Sequence, residues 1–141
     1  MIARADLLTV LLVEDNAGDV YMVREALEEA GCSYDLHVVD TGIKAMDFLY
    51  RRGQFSGSPR PDLVILDLNL PGKPGQEVMA EMEASPELKD VPVAVLTTSR
   101  SSSDICQRYP GLRSMFAAKT PLTHELIDIM KRFDRFARSR K

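Results

Sequence analysis

The chain has 141 residues, of which 45% are hydrophobic and 28% charged, and its formal net charge is −3. This length and balance are typical of one folded domain and exclude a wholly disordered chain. The acidic charge argues against nucleic acid as a partner, and no apolar run is long enough to span a membrane. Two cysteines are too few for a disulfide framework, so we expect a cytoplasmic protein with one domain over residues 1–141 and no output domain.

Short apolar segments alternate with segments of helical periodicity along the chain. Strands are predicted at residues 7–13, 34–39, 63–66, 91–96 and 115–118. Helices are predicted at residues 16–30, 76–84, 101–108 and 122–137, and Thr41 is predicted to cap a further helix that holds Ala45, Met46 and Leu49. Loops are predicted at 52–61 and 71–75. Five successive strand–helix units predict an α/β fold, (βα)5, with a doubly wound, five-stranded parallel sheet and helices on both faces.

Acidic side chains follow two of these strands. Glu14 and Asp15 come directly after the first strand, and Asp67 and Asn69 follow the third. Because carboxyl ends of parallel strands form the ligand crevice of an open sheet, the three carboxylates converge if these strands are neighbours. Their mutual repulsion favours a bound hard cation or a carboxyl group that keeps its proton. Oxygen-only ligands of this kind suit Mg²⁺.

Two further polar residues follow the last two strands. Thr97 offers a hydroxyl group, and Lys119 offers a positive charge for a carboxylate or a phosphoryl oxygen. A carboxylate nucleophile, a metal and a lysine are the groups that phosphoryl transfer to a carboxylate requires. Each residue alone is more simply explained as a helix cap or a solvated side chain. Their common position at strand ends favours the functional interpretation.

Four segments resemble the receiver domain of two-component response regulators. They are residues 11–16, 62–71 and 95–99, together with Lys119. The resemblance covers essentially the whole chain and implies the flavodoxin-like strand order 2-1-3-4-5. It also implies a phosphoacceptor signalling protein, which catalyses only its own phosphorylation and dephosphorylation and is not a turnover enzyme.

The resemblance implies a role for each acidic residue. Asp67 would accept the phosphoryl group from the phosphohistidine of a histidine kinase. Glu14, Asp15 and Asp67 would hold Mg²⁺ (or Mn²⁺), and Asn69 would add its main-chain carbonyl.

Thr97 and Lys119 match the two residues that contact the phosphoryl group in the family. Phe116 falls where the aromatic switch residue lies, although a core phenylalanine explains it equally well. The family usually has proline directly after the lysine, whereas Thr120 separates Lys119 from Pro121 here. We therefore expect a trans Lys119–Thr120 peptide bond.

The partners implied are a sensor histidine kinase and a second copy of the chain. Segments 14–19, 59–62, 68–72 and 97–99 resemble single-domain regulators paired with phytochrome histidine kinases, which suggests a bacteriophytochrome kinase. In the family, the face formed by helix 4 (predicted here at 101–108), strand 5 (115–118) and helix 5 (122–137) mediates dimerisation. The candidate residues of that dimer face are Met115, Ile129, Phe133 and Phe136.

Two other functions compete with this interpretation. Asp67, Leu68 and Asn69 resemble the start of the DxD motif of aspartyl-nucleophile phosphatases, but Asn69 stands where such an enzyme needs a general acid. A degenerate receiver that serves only as a structural adaptor is the other alternative, and the complete set of pocket residues argues against it.

Overall fold

The computed structural model describes residues 7–31, 33–68, 70–97, 114–118, 127–128 and 130–131. The strands are β1 (Leu8–Val13), β2 (Tyr34–Val39), β3 (Leu63–Asp67), β4 (Val93–Thr97) and β5 (Ser114–Ala118). The helices are α1 (Ala17–Glu29), α2 (Gly42–Tyr50), a short 3₁₀ helix (Gly53–Phe55) and α3 (Gly75–Ala84). Residues 127–128 and 130–131 are also helical, within the last predicted helix, whereas the helix predicted at 101–108 lies outside the described residues.

The five strands form one parallel sheet in the order β2-β1-β3-β4-β5. This confirms the predicted parallel α/β fold and the strand order that the family resemblance implied. The central register places Val13 of β1 beside Val39 of β2 and Leu66 of β3. The three strands therefore end at the same level, and the residues that follow them share one edge of the sheet.

Apolar side chains fill both faces of the sheet, as expected for parallel strands that are covered by helices on each side. Alternate strand residues face α2 and α3 in one cluster, which includes Leu11, Val13, Val64, Leu66, Val78, Met79 and Met82. The residues between them face α1 and Met130 in a second cluster, which includes Val10, Leu12, Val23, Leu27, Ile65 and Leu96.

The alignment of β3 with β1 is fixed at its start by Asp62. Its backbone N–H donates to the Thr9 carbonyl at 2.7 Å, and its side chain accepts from the Thr9 N–H at 2.8 Å. This paired contact holds β3 in the register that brings Leu66 beside Val13.

Most predicted boundaries differ from the observed ones by one or two residues. The first helix begins at Ala17 because Asn16 is its N-cap, and its side chain accepts from the Asp19 N–H at 3.0 Å. The fourth strand begins at Val93 and not at residue 91, since Pro92 has no N–H to donate to a sheet. The predicted loop 52–61 includes the 3₁₀ helix. Within the described part of the chain, no helix is long and apolar enough to cross a membrane.

Candidate metal centre

The carboxylates that follow β1 and end β3 meet at the carboxyl edge of the sheet. One oxygen from each of Glu14, Asp15 and Asp67 lies within 4.8 Å of the others. The expected convergence of these three residues is therefore confirmed. Asp67 is itself the last residue of β3, one position beyond the predicted end of that strand, so its backbone is held by the sheet.

The three carboxylates differ in their exposure to solvent. Glu14 and Asp67 are buried, with 1% and 2% of their surface exposed, whereas Asp15 is exposed. Burial of a carboxylate is unfavourable unless hydrogen bonds or an opposite charge compensate it, and a second carboxylate nearby adds repulsion. The Glu14 and Asp67 carboxylates thus lie below the protein surface, and the Asp15 carboxylate lies on the solvent side of the cluster.

Backbone contacts fix the turn between β1 and α1, which carries two of these carboxylates. The Glu14 N–H donates to the Val39 carbonyl at 2.9 Å. Its side-chain Oε1 accepts from the Asn16 N–H at 3.1 Å. Because the Asn16 side chain also caps α1, this one residue holds both the start of the helix and the Glu14 carboxylate.

A glycine that sequence reasoning assigned only to a loop lies against the end of β3. The Gly75 N–H donates to the Leu68 carbonyl at 3.2 Å. A Cβ atom on Gly75 would lie 2.5 Å from the Asp67 carbonyl oxygen and 2.7 Å from the Leu68 Cα, closer than real Cβ atoms approach their neighbours. Only glycine therefore allows α3 to begin so near to Asp67.

A second glycine packs against the loop that joins β3 to α3. A Cβ atom on Gly42, at the start of α2, would lie 2.5 Å from the carbonyl oxygen of Lys73. The Lys73 ammonium forms an ion pair with Glu81 on α3. The loop that follows Asp67 is thus in contact with both helices on this face of the sheet.

Of the other predicted site residues, Thr97 lies at the same edge of the sheet, Phe116 lies within β5, and two lie outside the described residues. Thr97 ends β4, one position beyond Leu96, which pairs with Asp67. Phe116 lies in β5 opposite Val95. Lys119 directly follows the last residue of β5 in the chain but, like Asn69, lies outside the described residues.

Most of the predicted dimer face also lies outside the described residues. Met115 lies in β5 opposite Ala94, whereas Ile129, Phe133 and Phe136 lie outside the described residues, as does the Lys119–Thr120 peptide bond. The predicted roles of these residues stay predictions.

The donor chemistry of the cluster fits a hard divalent cation. The three groups offer carboxylate oxygens only, which are the ligands that Mg²⁺ and Mn²⁺ prefer, and they offer no imidazole or thiolate that would select a softer metal. A bound cation would also offset the repulsion between two buried carboxylates. Chemically, the site can hold such an ion beside the Asp67 carboxylate.

Comparison with known proteins agrees with this geometry. The model of the response regulator receiver domain family matches residues 10–119. Response regulator Rcp1 of Synechocystis is 38% identical over 127 residues, which cover 90% of this chain and 86% of Rcp1. The crystal structure of the phosphorylated cyanobacterial phytochrome response regulator RcpA is 36% identical, with a TM-score of 0.79 over 96% of both chains. The Mn²⁺-bound form of Rcp1 is 37% identical, with a TM-score of 0.77 over 92% of this chain and 93% of Rcp1.

These likenesses concern the fold and the binding of a divalent ion by a relative. The parallel sheet order matches the receiver fold, and a divalent ion is bound in a related structure. Receiver domains act as signalling proteins together with histidine kinases, so both the signalling role and the kind of partner follow from the match. The chain belongs to the response regulator receiver domain family.

Proposed function

We propose that the chain is a stand-alone response regulator in which Asp67 is the phosphoacceptor. The observation that carries the proposal is the convergence of the Glu14, Asp15 and Asp67 carboxylates at the ends of two neighbouring strands. Asp67 is the member of this cluster that the sheet holds most firmly, since it is buried and lies within β3. In this proposal Glu14, Asp15, Asp67 and the Asn69 carbonyl hold Mg²⁺ or Mn²⁺.

The transfer step is a displacement at phosphorus. A carboxylate oxygen of Asp67 attacks the phosphorus atom of a phosphohistidine, an O–P bond forms, and the N–P bond to the kinase imidazole breaks. The imidazole nitrogen then takes up a proton, and the product is an acyl phosphate on Asp67. The bound cation supplies electrostatic compensation for the phosphoryl oxygens. The sheet and the close approach of Gly75 hold the Asp67 backbone, which supports its part in this step.

The switch is proposed to involve three residues near the same edge. The Thr97 hydroxyl donates to a phosphoryl oxygen, the Lys119 ammonium pairs with another, and Phe116 responds as the aromatic switch. The position of Thr97 at the end of β4, next to β3, supports its part in this proposal. The resulting change shifts an existing equilibrium on the face of helix 4, β5 and helix 5.

The proposed partner is a phytochrome-linked histidine kinase. RcpA is described as a phytochrome response regulator, and AtBRR, which is 31% identical with a TM-score of 0.78, as a bacteriophytochrome response regulator. These two likenesses support the assignment. We further propose a cytoplasmic protein that acts without nucleic acid and catalyses only its own phosphorylation and dephosphorylation.

Homodimerisation is proposed through the face of helix 4, β5 and helix 5. Met115, Ile129, Phe133 and Phe136 would lie in this interface. The apolar residues of the last predicted helix support it, since their spacing predicts a stripe wider than one sheet face requires.

Phosphorylation by acetyl phosphate tests the central proposal. We expect one Mg²⁺-dependent phosphoryl adduct in the intact mass of the wild-type protein and none in Asp67→Asn. Asp90→Asn, which removes an exposed carboxylate from the segment between α3 and β4, is the matched control and should form the adduct normally.

Three results would contradict the proposal. An adduct that persists in Asp67→Asn would move the phosphoacceptor elsewhere. Steady consumption of phosphate ester without an adduct would favour the phosphatase, and neither adduct nor turnover would favour the adaptor. Transfer from a phosphorylated bacteriophytochrome kinase, compared with transfer from an unrelated kinase, tests the partner.

A further inference from the structure

Among the described strands, β2 forms one edge of the sheet, and its backbone N–H and C=O groups point alternately towards β1 and away from it. The Val39 carbonyl accepts from the Glu14 N–H, so Val39 directs its backbone groups towards β1. Because successive strand residues direct these groups to opposite sides, Leu36 and Val38 direct theirs away from β1. Val38 is also one of the exposed large apolar residues in the described part of the chain, with 38% of its surface exposed.

Asp35 and His37 alternate with these residues and share one face of the sheet. The His37 Nε2 and Asp35 Oδ2 atoms are 3.1 Å apart, and about a third of each side chain is exposed (30% and 32%). The His37 ring packs on Phe48 of α2, with ring centroids 5.3 Å apart. A groove of about 810 Å³ runs beside the pair and is lined by β2, Phe48 and residues of the 54–59 segment.

We propose that β2 pairs antiparallel with β2 of a second copy of this chain, about a two-fold axis at Leu36. The two Leu36 residues then face each other with their outward backbone groups hydrogen-bonded. Asp35 lies opposite His37 of the partner subunit, and this pair occurs twice because of the symmetry. These are non-hydrogen-bonded pairs, in which the side chains of an antiparallel ladder approach most closely.

The register follows from the sequence of the strand. Outward-facing residues must pair with outward-facing residues, so the axis has to pass through a residue and not between two residues. An axis at residue 35 would set Asp35 against itself, and an axis at residue 37 would set His37 against itself. Among these three positions, only the axis at Leu36 matches each acidic group with a histidine.

This pairing of a carboxylate with a histidine favours a second copy over an unrelated peptide. A charged side chain on an edge strand, such as that of Asp35 on the face that packs against α2, normally protects the strand from pairing. An identical strand in this register supplies the complementary histidine, whereas another peptide has to carry one by chance. The interface lies at the opposite edge of the sheet from β5, so it is distinct from the dimer face proposed above.

Sedimentation equilibrium of single-charge variants tests the pairing. Asp35→Lys and His37→Glu each remove the complementarity, and each should weaken self-association by about tenfold relative to the wild type. A mixture of the two variants should recover association as a heterodimer, since the introduced lysine of one faces the introduced glutamate of the other. Glu29→Lys, which makes the same charge change as Asp35→Lys at an exposed position of α1, should associate as the wild type does.

Amide hydrogen exchange of the wild-type protein gives an independent readout. The Leu36 and Val38 amides should exchange more slowly as the protein concentration rises, and this measurement holds even if a variant fails to fold. A wild-type protein that stays monomeric up to about 1 mM would overturn the proposal. So would association that is lost in Phe133→Glu but retained in His37→Glu, because the contact would then lie at the last helix.

Discussion

Gly75 lies so close to the backbone of Asp67 that there is no room between them for a methyl group. A Cβ atom on Gly75 would lie 2.5 Å from the Asp67 carbonyl oxygen, yet Gly75 is the first residue of α3, where alanine is otherwise favoured. The packing of the first helical turn therefore constrains the position of the end of β3. It also constrains the Asp67 carboxylate, which belongs to the acidic cluster.

Gly75→Ala should move the end of β3 and weaken the metal centre. We expect a loss of about 1–3 kcal/mol in the free energy of unfolding, because backbone atoms must shift, together with slower phosphorylation by acetyl phosphate. Gly57→Ala is the matched control, since nothing lies within 4 Å of a Cβ there. Chemical denaturation and intact-mass time courses measure both effects. An unfolding free energy that rises in Gly75→Ala, as helix propensity alone predicts, would contradict this account.

Asp15→Asn should weaken metal binding while it stabilises the metal-free protein. Asp15 is the exposed member of the three converging carboxylates, so its removal relieves repulsion without creating a cavity. We expect Mg²⁺ affinity to fall by about tenfold or more, because affinity follows the number of charged ligands. The shift in Tm on addition of Mg²⁺, compared with that of Asp90→Asn, reports the change. An equal Mg²⁺-induced shift in both variants would exclude Asp15 from the centre.

Much of this site could be predicted from the order of residues along the chain. Glu14 and Asp67 are separated by more than fifty positions, but each stands where an apolar strand ends, and parallel topology brings such positions together. A local pattern also predicted one helix cap. Thr41 does accept from the Lys44 N–H, at 3.1 Å, and so begins α2.

Contacts that depend on distant backbone could not be predicted in this way. The loop 71–75 gave no sign that Gly75 would touch Asp67, or that Gly42 would touch Lys73, because a close approach leaves no periodic pattern. The sequence of β2 likewise did not indicate that Asp35 and His37 would lie at an outer edge of the sheet. That position depends on the strand order, which came from family resemblance and not from the strand itself.

Asn16→Ala should destabilise α1 and disturb the acidic turn beside it. The Asn16 side chain accepts from the Asp19 N–H at 3.0 Å, and loss of such a cap costs about 1 kcal/mol. Thr41→Ala removes the equivalent cap of α2, away from the carboxylates, and should cost about the same free energy of unfolding. Only Asn16→Ala should also weaken Mg²⁺ binding. Alanine keeps the backbone N–H that donates to Glu14, but loss of the side-chain cap no longer holds that N–H in place. Titration calorimetry would contradict this if both variants bound Mg²⁺ as the wild type does.

Asp40 should make a pH-dependent contribution to stability through Lys44. Its carboxylate lies 3.0 Å from the Lys44 ammonium, one helical turn along the chain. The hydrogen bond with Lys44, followed by the charge of Lys44, lowers the pKa of Asp40 below its ordinary value of 3.8. The folded state thus favours the ionised form. The stabilisation is fully present above that ordinary value and is lost as the pH falls through the lowered pKa of the folded protein.

Thermal unfolding of Asp40→Asn over a range of pH measures this contribution. The wild type should be slightly more stable than the variant at neutral pH, and the difference should disappear in strong acid. Because both side chains are well exposed, added salt should reduce the difference at neutral pH as well. Lys44→Met supplies the control, since in that background Asp40→Asn should no longer give a pH-dependent difference. If the difference between wild type and Asp40→Asn instead stayed constant into strong acid, the effect would arise from helix capping or packing and not from the ion pair.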